Sequence, residues 1–453
     1  MKISYNWLKS YLRVDLPPHE VTALLTHAGL EVEGIETYQT IKGGLAGLVI
    51  GEVMSCVRHP NADKLSLTTV NTGWEQLLQI VCGAPNVAAG QKVIVAPVGT
   101  TVHPLSGESF EIKKSKIRGE LSEGMICAED EVGLGSSHAG ILVLPQEAQV
   151  GTAVKDYFKI EDDFIFEIGL TPNRVDAASH LGIARDLAAL LNLQKGKSDA
   201  FAPVLPDTSN FQRDINGVSI EVEVEDSQGC PRYSGITIEQ VSVQDSPDWL
   251  KHRLRSIGIN PINNIVDITN FVLHECGQPL HAFDASKIEG GKVVVKRSKE
   301  GTSFTTLDEV ERKLVAADLM ICNANAPMCI AGVFGGLASG ITGETSTVFL
   351  ESAYFDPASI RKTSKHHGLK TDASFRYERG ADPQITLYAL KRAAMLIREI
   401  AGGKISSPVI DIYPHPVSPA VIRLDYNYLD RFAGTAIDRE KVRTILVSLG
   451  MQL

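Results

Sequence analysis

No apolar run approaches the ~20 residues that a helix needs to cross a bilayer, so no membrane span is expected. Cysteine is sparse and scattered. Its seven positions, Cys56, Cys82, Cys127, Cys230, Cys276, Cys322 and Cys329, are odd in number and include no Cys-x-x-Cys pair. That pattern argues against a disulfide framework and a zinc knuckle, suits a reducing, cytoplasmic setting, and leaves the thiols as small buried hydrophobes. The phosphate loop GxxxxGK[ST] is absent, and with it the usual cradle for a nucleotide. HExxH and GxSxG are missing too, which removes the helical zinc protease and the nucleophile elbow. No internal repeat and no low-complexity segment stands out, so a solenoid is not expected. The opening MKISYNWLKSYL has Lys2 but neither an apolar core nor a small-residue cleavage site behind it, and reads as folded protein.

What is present is ordinary globular composition: 453 residues, 43% hydrophobic and 22% charged. That length suggests roughly three domains of ~150 residues, each able to bury a core. The net charge of −10 opposes a nucleic-acid partner unless contact is confined to local basic patches. One patch is Lys113, Lys114, Lys116 and Arg118, with only Glu111 and Glu120 as nearby opposing charges.

Texture divides the chain. Residues 1–39 read as a short strand and an amphipathic helix, with Val21, Leu24 and Leu25 on one face and Gly29 as its stop. From 40 to 150, short β-rich runs alternate with Gly, Pro and Asn: Leu48–Val53, Leu65–Val70, Leu77–Val81, Lys92–Ala96 and Ile141–Leu144. Such runs predict a small barrel. Mixed α/β texture resumes with a strand at Phe164–Ile168 and a helix over Ser179–Leu193, with Ser179 as N-cap. A linker with Pro203 and Pro206 leads into a third unit, 214–405. It alternates strands (Val218–Val224, Lys292–Lys296, Thr347–Leu350) with helices (Trp249–Ser256, Ile385–Ile400). Beyond a second proline-bearing stretch, Asp438 is expected to cap a helix ending near Gly450, in a segment too short to build a core alone.

The barrel region holds three distinctive strings: His59-Pro60-Asn61-Ala62-Asp63-Lys64-Leu65, Val81-Cys82-Gly83-Ala84-Pro85-Asn86-Val87, and Lys116-Ile117-Arg118-Gly119 with Ser122-Glu123-Gly124-Met125. Asn61, Lys64, Asn86, Lys116, Arg118 and Ser122 form a candidate polar, partly basic surface on such a barrel. Singly, each Lys reads as a solvated surface charge. Together and in order, the strings closely resemble the tRNA-binding domain shared by EMAP-type cofactors, bacterial methionyl-tRNA synthetase and the β subunit of phenylalanyl-tRNA synthetase. With Trp74 as the region's only Trp, base stacking should be minor and contact mainly to phosphate and sugar.

MKISYNWLKSYL and Leu170-Thr171-Pro172-Asn173-Arg174-Val175-Asp176, with Gly182-Ile183-Ala184-Arg185-Asp186, look like the phenylalanyl β subunit in particular. In the third unit the relevant strings are Asn264–Asn270, Gly277–Asp284, Ala331–Gly336, Phe349–Ala353 and Thr371–Gly380. Each has a bland reading: His281 as a structural histidine, Glu351 as the polar end of an apolar run, Gly335-Gly336 as a tight turn, His366-His367 as surface residues. In order and spacing they resemble that family's editing domain, which implies functional positions at Thr269, Asn270, His281, Gly335, Glu351, Thr371 and Ala373. Phe375-Arg376-Tyr377-Glu378 also looks like the FRxE signature of class II synthetases, but no Gly-rich strand with a terminal Arg completes such a site. A charged pair flanking a core aromatic is preferred.

The resemblance predicts a multidomain α+β protein. An OB-fold tRNA-binding barrel (40–150) is inserted in a small α/β N-terminal domain (1–39 and 151–199). A mixed α/β editing domain (214–405) and the start of a truncated further domain (421–453) follow. It implies binding of tRNA(Phe), hydrolysis of mischarged Tyr-tRNA(Phe), and an α2β2 assembly with the α subunit. No metal site or cofactor is expected in this chain, ATP and Mg²⁺ belonging to the synthetic site of the whole enzyme. A free-standing aminoacyl-tRNA hydrolase and a non-catalytic RNA-binding scaffold stay open as alternatives.

Overall fold

The computed structural model describes residues 1–160 and 162–453. The chain forms two compact units, Thr37–Asp163 and the remainder, Met1–Glu36 with Phe164–Leu453.

The unit Thr37–Asp163 is built on an antiparallel sheet. Its spatial order is Gly124–Ile126, Lys92–Pro97, Val49–Arg58, Ser66–Asn71, Leu78–Cys82, with Val143–Leu144 on the other half of Lys92–Pro97. The two edges meet: Glu123 N donates to Gln79 O at 2.8 Å, and Val81 N donates to Ser122 Oγ at 3.1 Å. The result is a nearly closed barrel with little free edge. Alternation places Val53, Val70, Ile80, Val93 and Val95 inside. Gly51 is needed where the wall is tightest, since a Cβ there would lie 2.7 Å from Val95 Cγ2 and 2.8 Å from Val70 Cγ1. Three of the five expected runs match strands to within one residue at each end, while the first begins within one residue but continues to Arg58 across a register shift. The fifth shrinks to Val143–Leu144 because the amide of Asn86 takes up both backbone groups of Ile141.

In the other unit, Lys2–Ser4, Asp163–Gly169 and Glu31–Tyr38 form a three-stranded sheet in that order. Helix Pro18–His27 buries Val21 and Leu25. Helix His180–Lys195 begins where Ser179 Oγ accepts from Gly182 N, as its cap signal predicts, and runs two residues past the expected Leu193 to end at left-handed Gly196. Trp7 stacks between His180 (centroids 3.8 Å) and Phe271 (4.8 Å). One hydrophobic core runs from Ile3, Trp7 and Leu187 to Phe271, Leu350 and Ile397.

Two sheets carry region 214–412. One has the order Leu280–Asp284, Thr347–Tyr354, Arg232–Glu239, with Lys404–Ile405 and Ile410–Ile412 both on the far side of Arg232–Glu239. Helices Asn264–Cys276 and Thr386–Ala401 share its apolar core. The other has the order Glu221–Val224, Lys292–Arg297, Leu319–Cys322, Pro327–Ile330, Phe334–Gly335, parallel in its first pair only. It owns a second core around Val293, Ile321 and Ile330.

The strand expected to stop at Leu350 runs on to Tyr354. It is paired on both sides, so its ladder carries polar Glu351 and Ser352 into the buried interior. His367 also differs from its surface reading: Nε2 lies 2.7 Å from Asp318 Oδ2, and both side chains are buried. Toward the C-terminus, helix Arg439–Ser448 is capped by Asp438, as expected. Ser448 Oγ donates to Ser198 O at 3.1 Å. A helix at Tyr426–Ala433, capped by Asp425, precedes it.

Candidate functional site

Strand register builds the main site. His281 and Glu351 are direct partners on neighbouring antiparallel strands, so both project from one face. Gly235 faces Glu351 from the other neighbour. Tyr233, two residues earlier on the same face, donates its hydroxyl to Glu351 Oε2 at 2.9 Å. Helix Asn264–Cys276 supplies Thr269 and Asn270. Strand Phe334–Gly335 supplies Gly335. Thr371, N-cap of helix Asp372–Tyr377, and Ala373 complete the wall. All seven candidate positions of this region line one cavity of about 380 Å³. Its remaining wall is largely apolar, with Leu273, Leu280, Leu307, Val333 and Phe334.

The seven are not equivalent. The Thr371 hydroxyl accepts from Ser374 N at 3.0 Å and donates to Val333 O at 3.0 Å, so it pins the helix start to the neighbouring loop. Thr269 Oγ1 donates back to Val266 O at 2.7 Å within its own helix. Gly335 is a clearance residue: a Cβ there would lie 2.8 Å from Leu307 Cδ1 and 2.9 Å from His281 Cε1. Ala373 lines the cavity from helix Asp372–Tyr377. Among the described residues, Asn270 and the ring nitrogens of His281 have no side-chain hydrogen-bond partner. These are the uncommitted polar groups.

Electrostatics follow from burial. Burial pushes the Glu351 carboxyl up to about 8, and the Tyr233 hydrogen bond offsets only part of that. No Lys or Arg forms an ion pair with Glu351 among the described residues. Burial pushes His281 down to about 4, so its ring is neutral near pH 7 and can accept a hydrogen bond. Tyr233 is raised well above its ordinary value, first by burial and then by Glu351.

Arg376 does not fit a nucleotide grip. Its guanidinium is fully buried; Nε donates to Ala178 O at 3.1 Å, and one terminal nitrogen to Asp372 O at 2.8 Å and Oδ1 at 3.2 Å. Tyr377 is indeed a core aromatic, but the flanking charges pair elsewhere: Arg376 with Asp372, Glu378 with Arg379.

The barrel strings converge as well. Strands Ser115–Ile117 and Glu120–Ser122 form a hairpin whose turn, Arg118-Gly119, has positive φ at both residues (52° and 102°). The buried His59 ring sits between Ile117 O (3.2 Å) and Asn61 N (3.0 Å), and Asn61 Nδ2 donates to Arg118 O at 3.2 Å. Residues 59–65 are thereby fastened to this hairpin. A groove of about 600 Å³ lies beside it, lined by Gly83, Ala84, Lys113, Ser115, Ile117 and Met125 among others. Lys64, Lys116 and Arg118 are exposed and form no ion pair among the described residues, whereas Lys114 pairs with Glu123 at 2.7 Å. The other candidates brace the barrel: Ser122 is buried with its hydroxyl used in closure, and Asn86 clasps Ile141.

Sequence reasoning missed Tyr233 and the apolar wall at Leu307. Tyr233 reaches Glu351 only through non-local strand register, for which the run Arg232-Tyr233-Ser234-Gly235 gives no local signal.

Residues 48–153 match the family described as "Putative tRNA binding domain", and residues 229–402 match the family described as "B3/4 domain". The chain thus combines a barrel of the tRNA-binding class with a B3/4 domain. Over all 453 residues it is 56% identical to the phenylalanine–tRNA ligase β subunit of Bacteroides fragilis, covering 55% of that protein. It is 53% identical to the same subunit from Porphyromonas gingivalis and 44% identical to that from Salinibacter ruber, in each case across 100% of this chain and 55% of the relative. The chain belongs to the phenylalanine–tRNA ligase β-subunit family and spans about half the length of the relatives it matches. Among solved structures, an N-terminal fragment of the phenylalanyl-tRNA synthetase β subunit from Pyrococcus horikoshii has 15% identity and a TM-score of 0.31. That match covers 64% of this chain and 77% of that one, a likeness too slight to add to the assignment.

Proposed function

We propose that this chain serves as a β-subunit portion of phenylalanine–tRNA ligase that binds tRNA(Phe) through its barrel, an OB-fold, and hydrolyses Tyr-tRNA(Phe) in the 380 Å³ cavity. In the assembled enzyme it supports phenylalanine attachment by the α subunit, in an α2β2 assembly in the cytoplasm, with ATP and Mg²⁺ serving the α-subunit site. No helix among the described residues is long and apolar enough to cross a membrane.

The observation that carries this reading is a mostly apolar cavity holding a buried carboxyl group, with Asn270 and His281 uncommitted beside it. Tyrosine exceeds phenylalanine by one hydroxyl. An apolar pocket rejects an added hydroxyl by only about 10², so a synthetic site alone leaks. A second site that hydrogen-bonds the hydroxyl inverts the preference, because phenylalanine leaves its buried polar group unpaired. Glu351 fits that task. Neutral His281 fits the task of orienting a water or the terminal ribose, and Asn270 that of a donor to the ester. The hydrolysis itself needs little more than a placed water and donors near the developing oxyanion.

The test is single-turnover deacylation of Tyr-tRNA(Phe) and Phe-tRNA(Phe) by the purified chain. Faster loss of the tyrosyl ester is expected. Rates for both esters equal to those in buffer would overturn the reading.

A further inference from the structure

We propose that Tyr233 is a specificity-determining positioning residue. By holding Glu351 Oε2, it leaves Oε1 as the single carboxyl oxygen presented to the ligand. The proposal rests on the cavity's reading as a tyrosyl-ester site, and it concerns a residue that does not line the cavity itself.

The geometry argues for it. Glu351 emerges from a central strand flanked by Gly235 on one side and His281 on the other. Gly235 has no side chain to fix the carboxyl group, and the Phe349 ring already fills the space its Cβ would need. His281 turns its ring edge-on to Phe283 at 4.4 Å and makes no hydrogen bond to Glu351. The other titratable groups whose charge Glu351 affects are Cys230, Cys329 and Tyr377. None of these is hydrogen-bonded to it, and burial lifts all three away from ionisation near neutral pH. Among the described residues, the hydroxyl of Tyr233 is therefore the carboxyl group's only partner, and Tyr233 is itself fully buried.

A carboxyl group with no partner rotates about its last bond and offers either oxygen to a ligand. One held at Oε2 offers one oxygen in one direction. A phenol bound in the cavity then meets a fixed partner, whereas a phenyl ring leaves that oxygen unpaired. The same hydrogen bond also favours the ionised form of Glu351, so losing it makes ionisation harder. Tyr233 thus controls both the aim and the titration of the group that reads the hydroxyl.

The experiment uses Tyr233→Phe, which removes the hydroxyl and keeps the ring. Single-turnover deacylation of both esters is followed from pH 6 to 9, with melting curves as the folding check. Above pH 8, where Glu351 is ionised, the Tyr/Phe ratio should fall by roughly 10-fold, the worth of one buried hydrogen bond to a charged group. The midpoint of its pH dependence should move upward, as should the Glu351 titration seen by NMR of ¹³C-labelled glutamate. A role in packing alone would shift neither midpoint. If Tyr233→Phe proves unstable, Glu351 titration in unsubstituted protein carrying fluorinated tyrosine, a stronger donor, should move downward instead. An unchanged ratio and an unchanged Glu351 midpoint, with the unsubstituted protein active, would overturn this proposal alone. Absence of tyrosyl-ester hydrolysis by the unsubstituted protein would overturn the editing reading and this proposal with it.

Discussion

Glu351→Gln removes a titrating group from a buried position while keeping its shape and an acceptor for Tyr233. Burial raises the native carboxyl from 4.5 to about 8. Between those values the native protein holds a proton that the unfolded chain has released. Native stability therefore falls as pH rises through that window, by up to about 1.4 kcal/mol per unit. Between pH 5 and pH 7 the unsubstituted protein should lose about 2 kcal/mol that the glutamine variant keeps. His281 contributes the opposite slope below its ordinary value, since burial holds it neutral, but that term is common to both proteins and cancels in the difference. For a unit of this size the gap in melting temperature should widen by roughly 3–6 °C over that range and level off above pH 8. Melting curves at pH 5, 6, 7 and 8 provide the assay. A melting difference that stays constant across the series would refute the argument that Glu351 is protonated in the native cavity.

Three further outcomes are expected. Measured above pH 8, where Glu351 is ionised, Glu351→Ala should slow tyrosyl-ester hydrolysis and cut the Tyr/Phe ratio by roughly 10- to 150-fold, whereas His281→Ala should slow both esters and keep the ratio near its original value; single-turnover rates separate the two. Gly335→Ala puts a methyl group within 2.9 Å of the His281 ring, so it should depress both rates together while leaving discrimination intact, and an unaffected rate would mean that the ring's position is immaterial. Lys116→Ala with Arg118→Ala should weaken tRNA binding and flatten the slope of log affinity against log salt by about 1–2, each lost phosphate contact retaining its counterion; an identical slope would make these residues ordinary surface charges.

Local chemistry was legible. Ser179, Asp438 and Gly29 mark helix ends by capping and turn rules that need no tertiary information, and the barrel strands follow from alternation and turn residues. What depends on register was not. The strand through Glu351 was expected to stop at Leu350, because polar residues end an exposed strand but not one paired on both sides. Tyr233 lies 118 residues from Glu351, and their bond exists only because two strands align. Asp318 buries His367 in the same non-local way. Nothing in the spacing of Thr269, His281, Glu351 and Ala373 says that they share a cavity; the family resemblance supplied that grouping. On the barrel, type and order singled out Ser122 and Asn86, yet their polar atoms turn inward, a choice set by closure of the sheet.

Trp7 lies between His180 and Phe271, and Tyr11 donates to Glu275 Oε1 at 2.7 Å while Arg392 holds the same carboxylate. The cavity-bearing region is therefore not a cassette. Cut out as residues 214–405, it would bare the Phe271 face to water and strip Glu275 of one of its two partners. Any recombination that grafts this region onto another scaffold must bring the first dozen residues of the chain with it, and drift at Trp7 is constrained by a helix more than two hundred residues away in sequence.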